Sequence, residues 1–132
     1  MSGPALILVH GNPVLNTVYW TEDRSDAFCL KMADHLKAKA GDVVAFGHTH
    51  KPWRREVEGI HFVNTGSVGR PKDGDWRAGY VVVDVGDDTV GGDAGRAEFV
   101  RVEYDLARAA AAIRASELPD EFASHLETGG RE

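Results

Sequence analysis

The chain has 132 residues, 42% of them apolar and 27% charged, with a formal net charge of −6 at pH 7. That is long enough for one domain with a real core, and the balance is that of a soluble globular protein rather than a disordered one. The acidic net charge argues against a nucleic-acid groove built on bulk positive charge, and the single cysteine, Cys29, cannot close an intrachain disulfide. The start, Met1 to Val9, has neither the basic flank of a signal peptide nor the apolar length of a membrane span, so a cytoplasmic protein with no membrane partner is expected.

Ala5 to Val9 is an apolar run with no polar member. It predicts a strand buried on both faces, with neighbours on both sides. His10-Gly11-Asn12-Pro13 follows as turn chemistry. The loop to Arg24 carries Tyr19 and Trp20, aromatic enough to be packed. Ser25 is an N-cap with Asp26 in the first turn. Cys29, Met32, Ala33 and Leu36 then fall at i, i+3, i+4 and i+7, the apolar stripe of a helix that Gly41 is expected to close. Cys29 therefore reads as core rather than nucleophile.

Val43 to Phe46 is a second apolar run, so the first third of the chain is strand, helix, strand. A crossover of this kind makes the strands parallel, and both then end at the same sheet edge. That edge carries His10 from one tip and, in Gly47-His48-Thr49-His50, two imidazoles from the other. If the backbone stays extended, His48 and His50 point the same way. Neutral imidazole is the commonest protein ligand for transition metals, and strand ends are where open α/β sheets place their sites. Against a bland loop with exposed histidines, three imidazoles from two converging tips favour a metal.

Arg54–Val57 and Ile60–Val63 flank Glu58-Gly59, a two-residue hairpin signal. The second arm runs into Asn64-Thr65-Gly66-Ser67-Val68-Gly69, either a tight edge turn or a backbone concavity for an anion. Arg70 to Arg77 is a polar loop whose Arg70, Lys72 and Arg77 read first as solvated charge and second as phosphate contacts. Gly79 to Asp84 is a third apolar run, and Gly86 to Gly95 reads as a surface loop without calcium-ligand spacing. Glu98 to Tyr104 alternates, predicting a strand with Val100, Val102 and Tyr104 on one face. Asp105 caps a helix with Leu106, Ala109, Ala110 and Ile113 as its stripe. Pro119-Asp120 starts a short last helix that frays by Gly129-Gly130. There is no internal repeat, and residues 1–132 read as a single domain.

His10-Gly11, Gly47-His48-Thr49-His50-Lys51-Pro52 and Asn64 to Gly69 together resemble the later motifs of calcineurin-like metallophosphoesterases. They resemble most the small phosphodiesterase branch often labelled YfcE-like. The resemblance implies a four-layer α/β/β/α sandwich around two divalent ions, manganese, zinc, nickel or iron, bridged by an aspartate. It makes His10 and His48 ligands of the second metal and His50 a ligand of the first. Asn64, Gly66 and Ser67 would buttress the site, and a metal-activated water would hydrolyse a phosphate-ester substrate.

The family's opening Asp-x-His strand, Gly-Asp-x-x-Asp turn and Gly-Asn-His-Asp element are not found in the sequence. His35, His61 and His125 read as surface or core histidines that replace none of them. The chain therefore looks like the C-terminal half of such a sandwich, a partial domain weak or inactive alone. Neutral imidazoles alone do not offset the charge of two nearby divalent ions. The alternative reading is a non-catalytic metal-, phosphate- or interaction-binding module derived from that fold. In either case an uncovered sheet edge predicts a homo-oligomer or a complementing N-terminal half as partner.

Overall fold

The computed structural model describes residues 3–15, 17–84 and 97–131. The leading unit forms as the pattern predicts: strand β1 (Leu6–Leu8), helix α1 (Asp26–Leu36) and strand β2 (Val43–Phe46), with β1 parallel to β2 and Leu6 opposite Val43. Ser25 caps α1, its Oγ accepting from the Phe28 N–H at 3.1 Å. The helix ends earlier than Gly41. Lys37 adopts the left-handed conformation at φ 58 and bonds back to Ala33 and Asp34. Gly41 instead serves the turn into β2, its N–H donating to the Gly59 carbonyl at 2.8 Å.

Strands β3 (Trp53–Val57) and β4 (Ile60–Asn64) make the expected hairpin, with Glu58 and Gly59 both at positive φ as a two-residue turn requires. β4 pairs parallel to β2, giving the sheet order β1-β2-β4-β3. One face of this sheet, with Val44, Phe46, Trp53, Val57, Ile60 and Phe62, packs on Cys29, Met32 and Ala33 of α1. Trp20 reaches this core from the loop and stacks on Phe46 at 4.0 Å between ring centroids. The expectation that Cys29 is core and the aromatic loop is packed thus holds for Cys29 and Trp20, while Tyr19 is exposed.

The expectation for β1 is corrected. It is an edge strand, bonded to β2 alone among the described residues, and Leu6 and Leu8 are 45% and 71% exposed. Only Ile7 and Val9 pack against the core. An apolar run records what a strand tolerates on its two faces; the burial itself comes from neighbours that the run does not encode.

Strands β5 (Ala78–Val83) and β6 (Ala97–Val102) form a separate antiparallel pair. β6 stops at Val102, so Tyr104 does not continue its face and instead packs edge-on against Trp76. Apolar side chains are exposed on both of its faces, at Phe99 and Val102. Helices α2 (Leu106–Arg114, capped by Asp105) and α3 (Glu121–Thr128) pack on each other, with Ala110 and Ala123 buried. The Gly86–Gly95 loop lies outside the described residues. No helix among the described residues is long and apolar enough to cross a membrane.

Candidate functional site

Parallel pairing brings the C-terminal tips of β1 and β2 side by side. The pairing continues past β1 through the Val9 N–H to the Ala45 carbonyl at 3.0 Å, and the Gly47 N–H donates to the His10 carbonyl at 2.8 Å. The approach is close: a Cβ on Gly11 would stand 3.0 Å from the His48 Cβ. At the base of β1, buried Asp42 accepts from the Ala5 N–H at 2.8 Å and the Lys39 N–H at 2.9 Å. Burial pushes its carboxyl pKa up, but these two N–H bonds and the Lys39 charge outweigh that and hold it below the ordinary value.

His10 and His48 meet, with His10 Nε2 2.9 Å from His48 Nδ1 and their rings edge to face. Tyr19 also packs edge-on against His48, at 4.9 Å between centroids. His50 is turned elsewhere, its Nδ1 2.8 Å from the Arg70 carbonyl. A carbonyl only accepts, so Nδ1 carries the proton and the lone pair sits on Nε2. The assumption of an extended backbone fails here. β2 ends at Phe46, and His48 and His50 take φ 72 and 63, a left-handed conformation costing roughly 1–2 kcal/mol each for a residue with a Cβ. The period-two rule therefore does not apply to this pair. All three histidines nonetheless line one cleft of about 590 Å³, together with Leu8, Ala45 and Phe46 of the first sheet's strands, Val68 of the loop after β4, and Tyr80 and Val81 of the second sheet.

Asn64, wholly buried at the end of β4, ties the neighbouring loops together. Its Oδ1 accepts from the Gly66 N–H at 2.9 Å; its Nδ2 donates to Thr49 Oγ1 at 3.0 Å and to the Gly47 carbonyl at 3.3 Å. Gly66 is at φ 71, a left-handed conformation that strains a side-chain residue, and a Cβ there would stand a tight 3.2 Å from the Pro52 Cβ. Ser67 Oγ accepts from the Arg70 N–H at 2.8 Å and so shapes the turn that presents the carbonyl to His50. Sequence reasoning named His10, His48, His50, Asn64, Gly66 and Ser67, and missed Thr49, Tyr19 and the Arg70 carbonyl. A main-chain oxygen has no sequence signature, and Tyr19 had only its aromatic neighbour Trp20 as a signal.

A family model described as the calcineurin-like phosphoesterase superfamily domain matches residues 1–88. The chain belongs to this superfamily. Over 104 residues it is 33% identical to the uncharacterized protein MJ0912 of Methanocaldococcus jannaschii, covering 67% of this chain and 40% of that one. A crystal structure of a metallophosphoesterase from Sphaerobacter thermophilus superimposes with a TM-score of 0.68 at 27% identity, over 98% of this chain and 56% of that chain. The hypothetical protein PH1004 from Pyrococcus horikoshii OT3 gives a TM-score of 0.74 at 20% identity, over 96% of this chain and 47% of that one, a likeness of fold alone. The chain thus spans about half the length of these matches. Its α/β architecture is that of calcineurin-like phosphoesterases, a superfamily whose members generally bind divalent metal ions and act on phosphate esters.

Two imidazole nitrogens facing each other 2.9 Å apart are near the roughly 3.3 Å that two ligands at about 2.0–2.1 Å span on a tetrahedral ion. Among the described residues, however, there is no group of three or more His, Cys, Asp or Glu placed to hold a metal. A single ion held by all three histidines is therefore not what this arrangement offers. The residues present fit part of a metal centre and do not complete one.

Proposed function

We propose that this chain supplies part of a divalent-metal phosphoesterase centre: His10 and His48 as paired ligands of one ion, and His50, through Nε2, as a ligand of a second. The supporting observation is the 2.9 Å approach of His10 Nε2 to His48 Nδ1 at the tips of two parallel strands. Asn64, Gly66 and Ser67 hold the loops that carry them. Divalent ions, when bound, would polarise phosphoryl oxygens and acidify a water. The chain's own contribution is to orient the imidazoles and, through Leu8, Val68 and Tyr80, to wall the cleft. Among the described residues no carboxylate joins these imidazoles in a group of three or more metal-holding side chains, which leaves the charge of two close ions uncompensated, so the reading requires a complementing N-terminal half with the Asp-x-His, Gly-Asp-x-x-Asp and Gly-Asn-His-Asp elements. The open edge of β1, with Leu6 and Leu8 exposed, is the surface such a half would cover. The YfcE-like phosphodiesterase branch and a cytoplasmic location belong to the same proposal.

The incomplete ligand set also favours a second reading, a non-catalytic metal- or phosphate-binding module. Hydrolysis of bis(p-nitrophenyl) phosphate with added manganese separates the two. No turnover by this chain alone, with turnover restored by an added N-terminal half of a relative, supports the enzyme. Metal uptake without turnover in either case supports the module. Phosphate binding that survives chelation of all metal removes metal from the account altogether. Size-exclusion chromatography tests the open edge: a clean monomer at high concentration shows that no second copy covers it.

A further inference from the structure

His50 is gripped twice by one short segment. The Arg70 carbonyl accepts from its Nδ1–H at 2.8 Å, and the Lys72 N–H donates to its carbonyl at 3.0 Å. That segment is in turn fixed by the last helix. The Arg70 guanidinium lies 5.0 Å from the Phe122 ring centroid, and its Nη2 donates to His125 Nδ1 at 2.8 Å. Arginine has no acceptor, so His125 is bound as the neutral ring with its own proton on Nε2.

The turn that ends α3 continues the clamp. The Gly74 N–H donates to the Gly129 carbonyl at 2.9 Å, and the Arg131 guanidinium donates to the Gly74 carbonyl at 3.1 Å. There is no slack between them: a Cβ on Gly129 would lie 2.6 Å from Asp75 N, and one on Gly130 2.6 Å from Lys72 Cα. Helix α3 lies beyond residues 1–88, which the superfamily model matches.

We propose that α3 is a positioning element for His50. His125 and Phe122 hold Arg70, whose carbonyl keeps the His50 imidazole in the tautomer with Nε2 free toward a divalent cation. Only the last clause rests on the metal reading given above; the tautomer coupling stands on the contacts themselves.

The test uses the full chain, labelled with nitrogen-15, with imidazole spectra recorded at mildly alkaline pH where histidines are neutral. Wild-type His50 is expected as the Nδ1–H tautomer. His125→Leu removes the acceptor and shifts His50 to a mixture of tautomers, with roughly tenfold weaker zinc uptake, the scale of an outer-shell loss. His125→Gln, whose side-chain oxygen can accept from Arg70, restores both. Backbone amide spectra check that each variant is folded. If His125→Leu does not fold, Arg70→Leu carries the test, because it keeps the main-chain carbonyl and loses both the donor to His125 and the cation over Phe122. His50 remaining wholly Nδ1–H in either folded variant overturns the proposal, as does an Nε2–H tautomer in the wild type. Zinc that leaves the wild-type His50 Nε2 resonance unmoved sinks the metal role, while the tautomer shift in His125→Leu still upholds the positioning role.

Discussion

Asn64→Asp is the most informative single change, because it replaces one donor by one acceptor with almost no change of shape. The amide orientation is settled by the Gly66 N–H, which must donate to Oδ1, so Nδ2 faces the Gly47 carbonyl at 3.3 Å and Thr49 Oγ1 at 3.0 Å. Ionised aspartate sets an anionic oxygen against the Gly47 carbonyl in a fully buried position. Two donated bonds go at about 1 kcal/mol each, and a repelled, poorly solvated charge adds about 1–3 kcal/mol. A loss of about 3–5 kcal/mol at neutral pH follows, or roughly 12–20 °C in Tm at about 4 °C per kcal/mol. Burial raises the carboxyl pKa of the variant in the folded state, so folding favours the protonated acid. That acid can still donate one bond, and the loss should shrink as pH falls toward about 4, below the raised folded value. The assay is thermal unfolding of both proteins across that range, with His48 and His50 resonances followed alongside. Equal Tm values for variant and wild type at both ends of the range would refute the claim that Asn64 bridges these loops by donation.

Gly11→Ala places a Cβ 3.0 Å from the His48 Cβ, so His48 must move by a few tenths of an ångström. A stability cost of about 1 kcal/mol and a changed His10–His48 resonance pair are expected; unchanged His48 shifts would show that the tips are not in close contact. For Asp42, the folded pKa lies below its ordinary 3.8, so its contribution is complete above that value and is lost as pH falls through the folded one. Asp42→Asn should therefore be destabilised at neutral pH and show a flatter acid limb than the wild type below about pH 4, read from unfolding midpoints. Trp20→Phe keeps the stack on Phe46 and removes a buried indole N–H that has no hydrogen-bond partner among the described residues. Its cost should stay below about 2 kcal/mol in urea unfolding, against about 3–5 kcal/mol for Trp20→Ala, because losing the orphan donor offsets lost area.

The sequence by itself determined the local elements and singled out the histidines that line the cleft. Ser25 and Asp105 cap helices because a short side-chain oxygen meets an N–H within the same turn, and Glu58-Gly59 turns the hairpin because both residues take positive φ. Val43 to Phe46 forms a strand that is buried throughout, as its apolar run permits. Periodicity and turn chemistry are short-range, so they can be read along the chain. The tertiary structure decided everything that depends on what lies next to what. It made β1 an edge strand despite an all-apolar run, and stopped α1 at Lys37 four residues short of the glycine. It set His48 and His50 at positive φ, so that His48 faces His10 while His50 answers to a carbonyl twenty residues away and, through it, to a helix from the far end of the chain. Those outcomes follow from loop closure and from the competition of distant groups for one hydrogen bond, and neither leaves a pattern in the order of residues.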